Sequence, residues 1–370
     1  MLKSLKNPIS KIIALFIVWR FTLFLIAFIS PTVIPKFGGT FPYYQNLLMG
    51  SGLPHFIWSF ANFDGVHYLN IAKVGYSYQY TQAFFPLYPI LIKAGSIITF
   101  GNLIISGLLI SNLAFLGALI IFYKLVKKHY GENIALWSSI FCLSFPTSFY
   151  FGSIYNEGIF FLLIVSSFYL ADQNKIWLAS IIGAFSSATR LVGVFMAPVM
   201  AIKKRKFKII PLLIIPVGFL LYVIYLAITF HNPLYFLSSQ EIFGQGRSTN
   251  HIILLPQVFY RYFKIMATTH GALLINSAFE LLSTIFAFAT LIIGYKKIKL
   301  DWLIFSLLAI ILPTLTGTLA SMPRYIVIAF PIYIILAQIK SNAAKIIIAV
   351  IFLAMLTITT TIFTQGYWVA

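Results

Sequence analysis

The chain has 370 residues, of which 60% are hydrophobic and 9% charged, against the roughly 25% charged of a soluble domain. That composition excludes an ordinary soluble enzyme, and continuous apolar runs of about twenty residues exclude a β-barrel built from alternating ~10-residue strands. The net charge of +19 invites a nucleic-acid partner, but the clusters KLVKKHY (124–130), KKRKFK (203–208), YKKIK (295–299) and KSNAAK (340–345) each sit at the end of an apolar run. That is the pattern of cytoplasmic loops in a membrane protein, so no nucleic acid is expected.

Lys3, Lys6 and Lys11 lead into the run IIALFIVWRFTLFLIAFIS. Its length, and the absence of a small-residue cleavage site after it, mark an uncleaved first helix over 11–31. Residues 31–83 then form a long first extracytoplasmic loop, rich in Pro, Gly and aromatics. Segment 83–100, with Pro86 and Pro89, is expected along the outer interface. Spans follow over 103–123, 133–151 and 157–171. Segment 176–202 carries Arg190 at its middle, where a cation is tolerated only beside a partner or cavity, so a broken, re-entrant pair of half-helices is expected there. A span over 209–229, a second extracytoplasmic loop over 230–267, and spans over 268–294, 302–319, 325–338 and 344–363 complete the chain. With 176–202 re-entrant, every basic cluster is cytoplasmic and about nine full crossings remain. The expected fold is thus an all-α polytopic membrane protein of about 9–11 transmembrane or re-entrant helices, forming one integral membrane domain over 1–370.

Cys142 is the only cysteine, so neither a disulfide framework nor a thiolate metal cluster is available. Only seven residues are acidic. Glu132, Asp172 and Asp301 fall in cytoplasmic turns beside basic residues, where solvated pairing is expected. Glu280 lies inside a span, and an internal hydrogen bond is its expected role. Asp64, Glu157 and Glu241 fall on the outer side, as do His67, Lys73, Arg247, Arg261, Arg324 and Arg190, if its half-helix reaches upward. Guanidinium groups match phosphate oxygens in paired geometry, and a carboxylate near them suits removal of a hydroxyl proton. Together they point to transfer between a phosphate-bearing lipid and an alcohol at the membrane surface. Asp64-Gly65 equally suits an ordinary turn, and the aromatics of 60–88 suit an interfacial belt. The sequence holds no Gly-rich phosphate loop, no Ser-His-Asp order, no His-rich zinc motif and no Asp-any-Asp pair.

Several blocks, in order, resemble the PIG-V-type mannosyltransferases, the GPI mannosyltransferase 2 family and its prokaryotic relatives within the GT-C superfamily. They are FDGVHYLNIAKVGY with AFFPLYPILIK, FPTSFYFGSIYNEGIFFL, SATRLVGV, HNPLYFLSSQEIFG and SMPRYIVIAFPIYIILA. Phe63 stands where the family usually has Trp, and His67 where it often has Trp or another residue. The resemblance implies a GT-C-like helix bundle and an inverting transfer of a sugar, usually mannose, from a polyprenyl-phosphate donor. The acceptor would be a hydroxyl of a lipid, glycan or protein at the extracytoplasmic face. Asp64 takes the place of the family's catalytic aspartate; Arg190 and Arg324 match its arginines and are the candidates for the donor phosphate. Glu157 would orient a hydroxyl or support those arginines, and His67, Tyr68, Tyr155 and Gln240 complete the expected substrate-contacting set. Membrane lipids are the other expected partner, and neither cofactor nor metal is expected, since arginine can stabilise the leaving phosphate. The location implied is the cell membrane of a prokaryote or the endoplasmic reticulum membrane of a eukaryote. The rival class is a transporter or flippase of a lipid-linked or anionic substrate, which Arg190 and Glu280 would also suit; a structural membrane subunit would explain the aromatics but not the outer charges.

Overall fold

The computed structural model describes residues 7–202, 210–243 and 246–369; the expected cluster at 203–208, and Lys3 and Lys6, lie outside them. Among the described residues there are helices and turns but no strand. Helices of seven residues or more run in chain order as α1 (Pro8–Val33), α2 (Asp64–Val74), α3 (Leu87–Ser96), α4 (Leu103–Tyr130), α5 (Glu132–Ser144), α6 (Glu157–Asp172) and α7 (Ile176–Ser187). They continue as α8 (Met196–Ile202), α9 (Val217–Phe230), α10 (Leu255–Thr268), α11 (Ala272–Ile293), α12 (Leu300–Thr314), α13 (Pro331–Ala337) and α14 (Asn342–Thr364).

Among the described residues, five helical stretches are long and apolar enough to cross a membrane: α1, α4, the stretch Ile210–Phe230 that ends in α9, α11 and α14. This is a multi-pass integral membrane protein. The other expected spans are built from shorter pieces: the span expected over 133–151 is α5 followed by a 3-10 turn, Ser148–Gly152. The stretch 325–338 is likewise divided, into the turn Ile326–Ile328 and α13. Within the expected first loop, residues 31–83, lie α2 and several short turns, and α10 occupies the end of the expected second loop.

The chain gathers into two compact units, one holding the chain up to Gly75 with Pro86–Asn174 and Leu336–Val369, the other Tyr76–Phe85 with Lys175–Ile335. In the first, α4 packs on α5 and α6, and α1 packs on α14. Phe115 stacks on Phe151 with ring centroids 4.3 Å apart. Gly158 permits this closeness: a Cβ there would fall 2.5 Å from the Phe151 carbonyl oxygen and 2.9 Å from that of Ser111. Arg20, halfway along α1, is buried with its guanidinium 3.9 Å from the Phe24 ring centroid and 4.4 Å from that of Phe60. The ring faces supply part of the stabilisation that water would give the cation.

In the second unit α7 stops at Ser187, Arg190 is fully extended (φ −155°, ψ 145°), and a 3-10 turn, Leu191–Phe195, leads into α8. The expected break at Arg190 is therefore present. Gly193 makes it possible, because a Cβ there would meet the Ser186 carbonyl oxygen at 2.5 Å.

The acidic residues sort differently from the expected pattern in two cases. Glu132 pairs with Lys127 at 2.8 Å in the open. Asp172, which pairs with His129, has a buried side chain, and Asp301 is buried in the first turn of α12. Neither is the solvated charge expected; both sit where a helix end packs against its neighbours.

Candidate active site

Asp64 owes its position to an unusual residue before it. Phe63 has φ 58° and ψ −115°, outside the regions an aromatic residue ordinarily adopts, at a strain of about 1–3 kcal/mol. The surroundings hold it there. Its ring lies 4.6 Å from that of Phe41, 5.8 Å from that of Phe363 and edge-on to Trp368 at 5.2 Å. Asn62 Nδ2 donates to the Phe363 carbonyl at 2.8 Å. The Tyr155 hydroxyl donates to the Asn62 carbonyl at 3.0 Å and accepts from the Asp64 amide at 3.3 Å. The turn thus delivers Asp64 as the first residue of α2, partly buried, where the helix's free amides favour negative charge.

His67 follows one helical turn later on the same face of α2. Burial lowers its pKa from the usual 6.5, and the charge of Asp64 opposes that shift in part. Tyr68 is buried, with its ring edge-on to Tyr88 at 5.1 Å. Tyr88 in turn bonds Ser111 at 2.6 Å, and Ser111 donates to the Tyr155 carbonyl at 3.3 Å. Glu157, buried, opens α6 two residues after Tyr155. Asp64, His67, Tyr68, Tyr155 and Glu157 therefore belong to one neighbourhood of the first unit. The Tyr155 hydroxyl holds the backbone on both sides of Phe63, which gives it a positioning role beside the substrate contact expected of it.

Arg190, Gln240 and Arg324 belong to the second unit, and Tyr325 ties them together. The Arg190 guanidinium lies 5.0 Å from the Tyr325 ring centroid and that of Arg324 5.1 Å. The Tyr325 hydroxyl receives long hydrogen bonds of 3.4 Å from Arg324 Nη2 and from Arg247 Nη2. Arg247 also donates to Gln240 Oε1 at 3.4 Å and to the Ala320 carbonyl at 3.5 Å. Three guanidinium groups thus gather around one phenol, and their donors suit phosphate oxygens.

Below this cluster Glu280 makes the internal hydrogen bond expected of it. It accepts from the Tyr262 hydroxyl at 2.6 Å, and that hydroxyl also lies 3.1 Å from Thr318 Oγ1 and accepts from the Leu319 amide at 3.0 Å. The segment that carries Arg324 is thereby anchored to α10 and α11. Glu241 is exposed and accepts from the Thr249 hydroxyl and, at 2.9 Å, from the Thr249 amide, which together lower its pKa.

Arg247 was visible in the sequence only as one outer cation among several. Tyr325 carried a stronger sign, its place next to Arg324 in SMPRY. The link between Tyr262 and Glu280 had none, since eighteen residues and a turn separate them.

A multi-pass helical membrane protein with an aspartate at a helix start after a strained residue, and a cluster of arginines, is the class these features define. The profile of the mannosyltransferase (PIG-V) family matches residues 9–212, more than half of the chain. The chain belongs to that family. The match includes Asp64, Tyr155, Glu157 and Arg190 and ends before Gln240 and Arg324. Among curated proteins it is similar to GPI mannosyltransferase 2 of Cryptococcus neoformans, 29% identical over 161 residues that make up 40% of this chain and 37% of the relative. It is also similar to GPI mannosyltransferase 2 of Drosophila pseudoobscura, 31% identical over 139 residues (34% and 29% of the two chains). To human GPI alpha-1,6-mannosyltransferase 2 it is 27% identical over 144 residues (36% and 29%). The matched part thus spans well under half the length of each of these relatives. No solved structure matches the chain significantly.

Proposed function

We propose that the protein is an inverting mannosyltransferase that uses a polyprenyl-phosphate-linked donor at the extracytoplasmic face of its membrane. The observation that carries this reading is the gathering of Arg190, Arg247 and Arg324 on Tyr325; membership of the family supports mannose as the sugar. The acceptor hydroxyl, on a lipid, glycan or protein, attacks the anomeric carbon while its proton passes to the Asp64 carboxylate. The bond from that carbon to the phosphate oxygen breaks, its electron pair leaves with the phosphate, and the configuration inverts. The donor phosphodiester carries one negative charge and the departing phosphate monoester two. Guanidinium donors therefore bind the departing group more strongly than the donor, which is what accelerates a reaction. The scheme asks for no metal, and activity abolished by a chelator and restored by a divalent ion would overturn that part.

The test is transfer of labelled mannose from polyprenyl-phosphate mannose by membranes containing the protein, supplied with a native lipid extract. Wild type is compared with Asp64→Asn at matched expression. Loss of about 10²–10⁴-fold is expected of a missing general base; equal transfer by both proteins removes Asp64 from that role.

A further inference from the structure

We propose that α10 lies along the membrane interface on the face opposite the lysine turn 294–299, with lipid as the partner of its outward side. The first ground is the arrangement of its side chains in three stripes. Leu255, Val258, Tyr262, Ile265 and Met266 face the protein. Pro256, Tyr260, Phe263 and Ala267 form an exposed apolar stripe at helical spacing, with Tyr260 70% and Phe263 56% exposed. Gln257, Arg261, Lys264 and Thr268 form an exposed polar stripe beside it. A helix in water needs no second apolar stripe, and a membrane-crossing helix has no use for an exposed Arg and Lys at its middle. A helix in the interface uses both, with aromatics in the acyl boundary and cations at lipid phosphates.

The second ground is height. From the lysine turn, the fifteen residues of α12 rise about 22 Å, and the thirteen steps of α11 from Ile293 back to Glu280 rise about 20 Å. The two levels agree, since the Tyr262 hydroxyl touches both Glu280 and Thr318. The start of α10 is tied to the same level, because the Ile253 amide donates to the Leu315 carbonyl at 3.0 Å. Two ties at one height, nine residues apart in sequence, lay the helix across the bundle rather than along it. That height is most of the way across ~30 Å of hydrocarbon, within the 5–10 Å depth of an interfacial helix. Arg261 Nη1 donates to the Gly317 carbonyl at 2.8 Å, so α10 also holds the segment leading to Arg324 near the headgroup layer.

Cys142, the only native cysteine, is fully buried, so single introduced cysteines accept a spin label selectively. Labels at Pro256, Gln257, Tyr260, Phe263, Lys264 and Ala267 would be placed in the full chain, reconstituted in bilayers containing anionic lipid. Each variant is first checked for the thermal transition of the wild type. Collision with oxygen should dominate at Tyr260 and Phe263, and collision with a water-soluble nickel chelate at Gln257 and Lys264. The depths at Pro256 and Ala267 should differ by less than ~8 Å, whereas an upright helix would separate them by about 16 Å. Nickel access at Tyr260 and Phe263 equal to that at Gln257 overturns the proposal, as does the larger depth difference.

Discussion

Arg247 and Arg324, 77 positions apart in sequence, each place a terminal guanidinium nitrogen 3.4 Å from the same phenol oxygen of Tyr325. The bonds are long, and the stabilisation of two cations by one neutral hydroxyl is small. What the arrangement fixes is direction, because both guanidinium groups converge on one point, where an anionic acceptor would meet them together. If that acceptor is the departing phosphate, Arg324→Gln should lower kcat by about 10²-fold or more with a smaller change in KM. Tyr325→Phe keeps every cation and should lower it less than ~10-fold. Steady-state transfer at saturating donor distinguishes the two, and a larger loss from Tyr325→Phe than from Arg324→Gln would reverse the assignment.

The Tyr262 hydroxyl meets Glu280, Thr318 Oγ1 and the Leu319 amide at once. Removing its oxygen in Tyr262→Phe strips Glu280 of one of its donors and the Leu319 amide of its acceptor, both in buried surroundings. Each lost partner costs about 1–3 kcal/mol, so the thermal transition should fall by several degrees. Glu280→Gln can still accept from Tyr262 and should fall less. A thermal scan in one detergent tests the order.

The segments named by the sequence were those in which one residue type settles the local conformation. Arg190 in an apolar run required a break, and the structure supplies one through Gly193. Glu280 in a span required a buried donor, and Tyr262 is that donor. In the first loop the apolar residues are interrupted every few positions by Gly, Pro and polar groups, which conceals the eleven-residue α2. The strain at Phe63 had no sign in the sequence, since residues with positive φ are usually Gly or Asn. Asp172 and Asp301 were misplaced because sequence proximity to lysine says nothing about which helix end packs over a carboxylate.

His67 gives a pH dependence whose sign follows from its burial. Its folded-state pKa lies below the usual 6.5, so on acidification the unfolded chain takes up a proton before the folded one does. Stability contributed by neutral His67 is therefore present above about pH 6.5 and is lost as pH falls toward the lowered value. His55, also lowered by burial, acts with the same sign. The thermal midpoint of wild type should drop from about pH 7 to about pH 5.5, and His67→Gln should drop by less. Equal drops in the two proteins would leave His67 without this effect.

Tyr155 tests whether the strained turn serves Asp64. Its hydroxyl touches the Asn62 carbonyl and the Asp64 amide, the two backbone groups that flank Phe63. Tyr155→Phe removes both bonds while keeping the ring against Tyr150 and Phe363. Without them the positive φ of Phe63 is held only by ring packing and the Asn62 bond to the Phe363 carbonyl, and relaxation of that residue would shift the carboxylate by a fraction of its working distance. A displacement of about 1 Å can lower turnover about 10²-fold. The loss should fall on kcat rather than KM, because Asp64 acts on the acceptor proton and the donor phosphate is bound by other residues. The decisive comparison is the pair: added to Asp64→Asn, Tyr155→Phe should cause no further loss, since it works through that carboxylate. A further loss of the same size in the double variant would show that Tyr155 acts on the substrate itself.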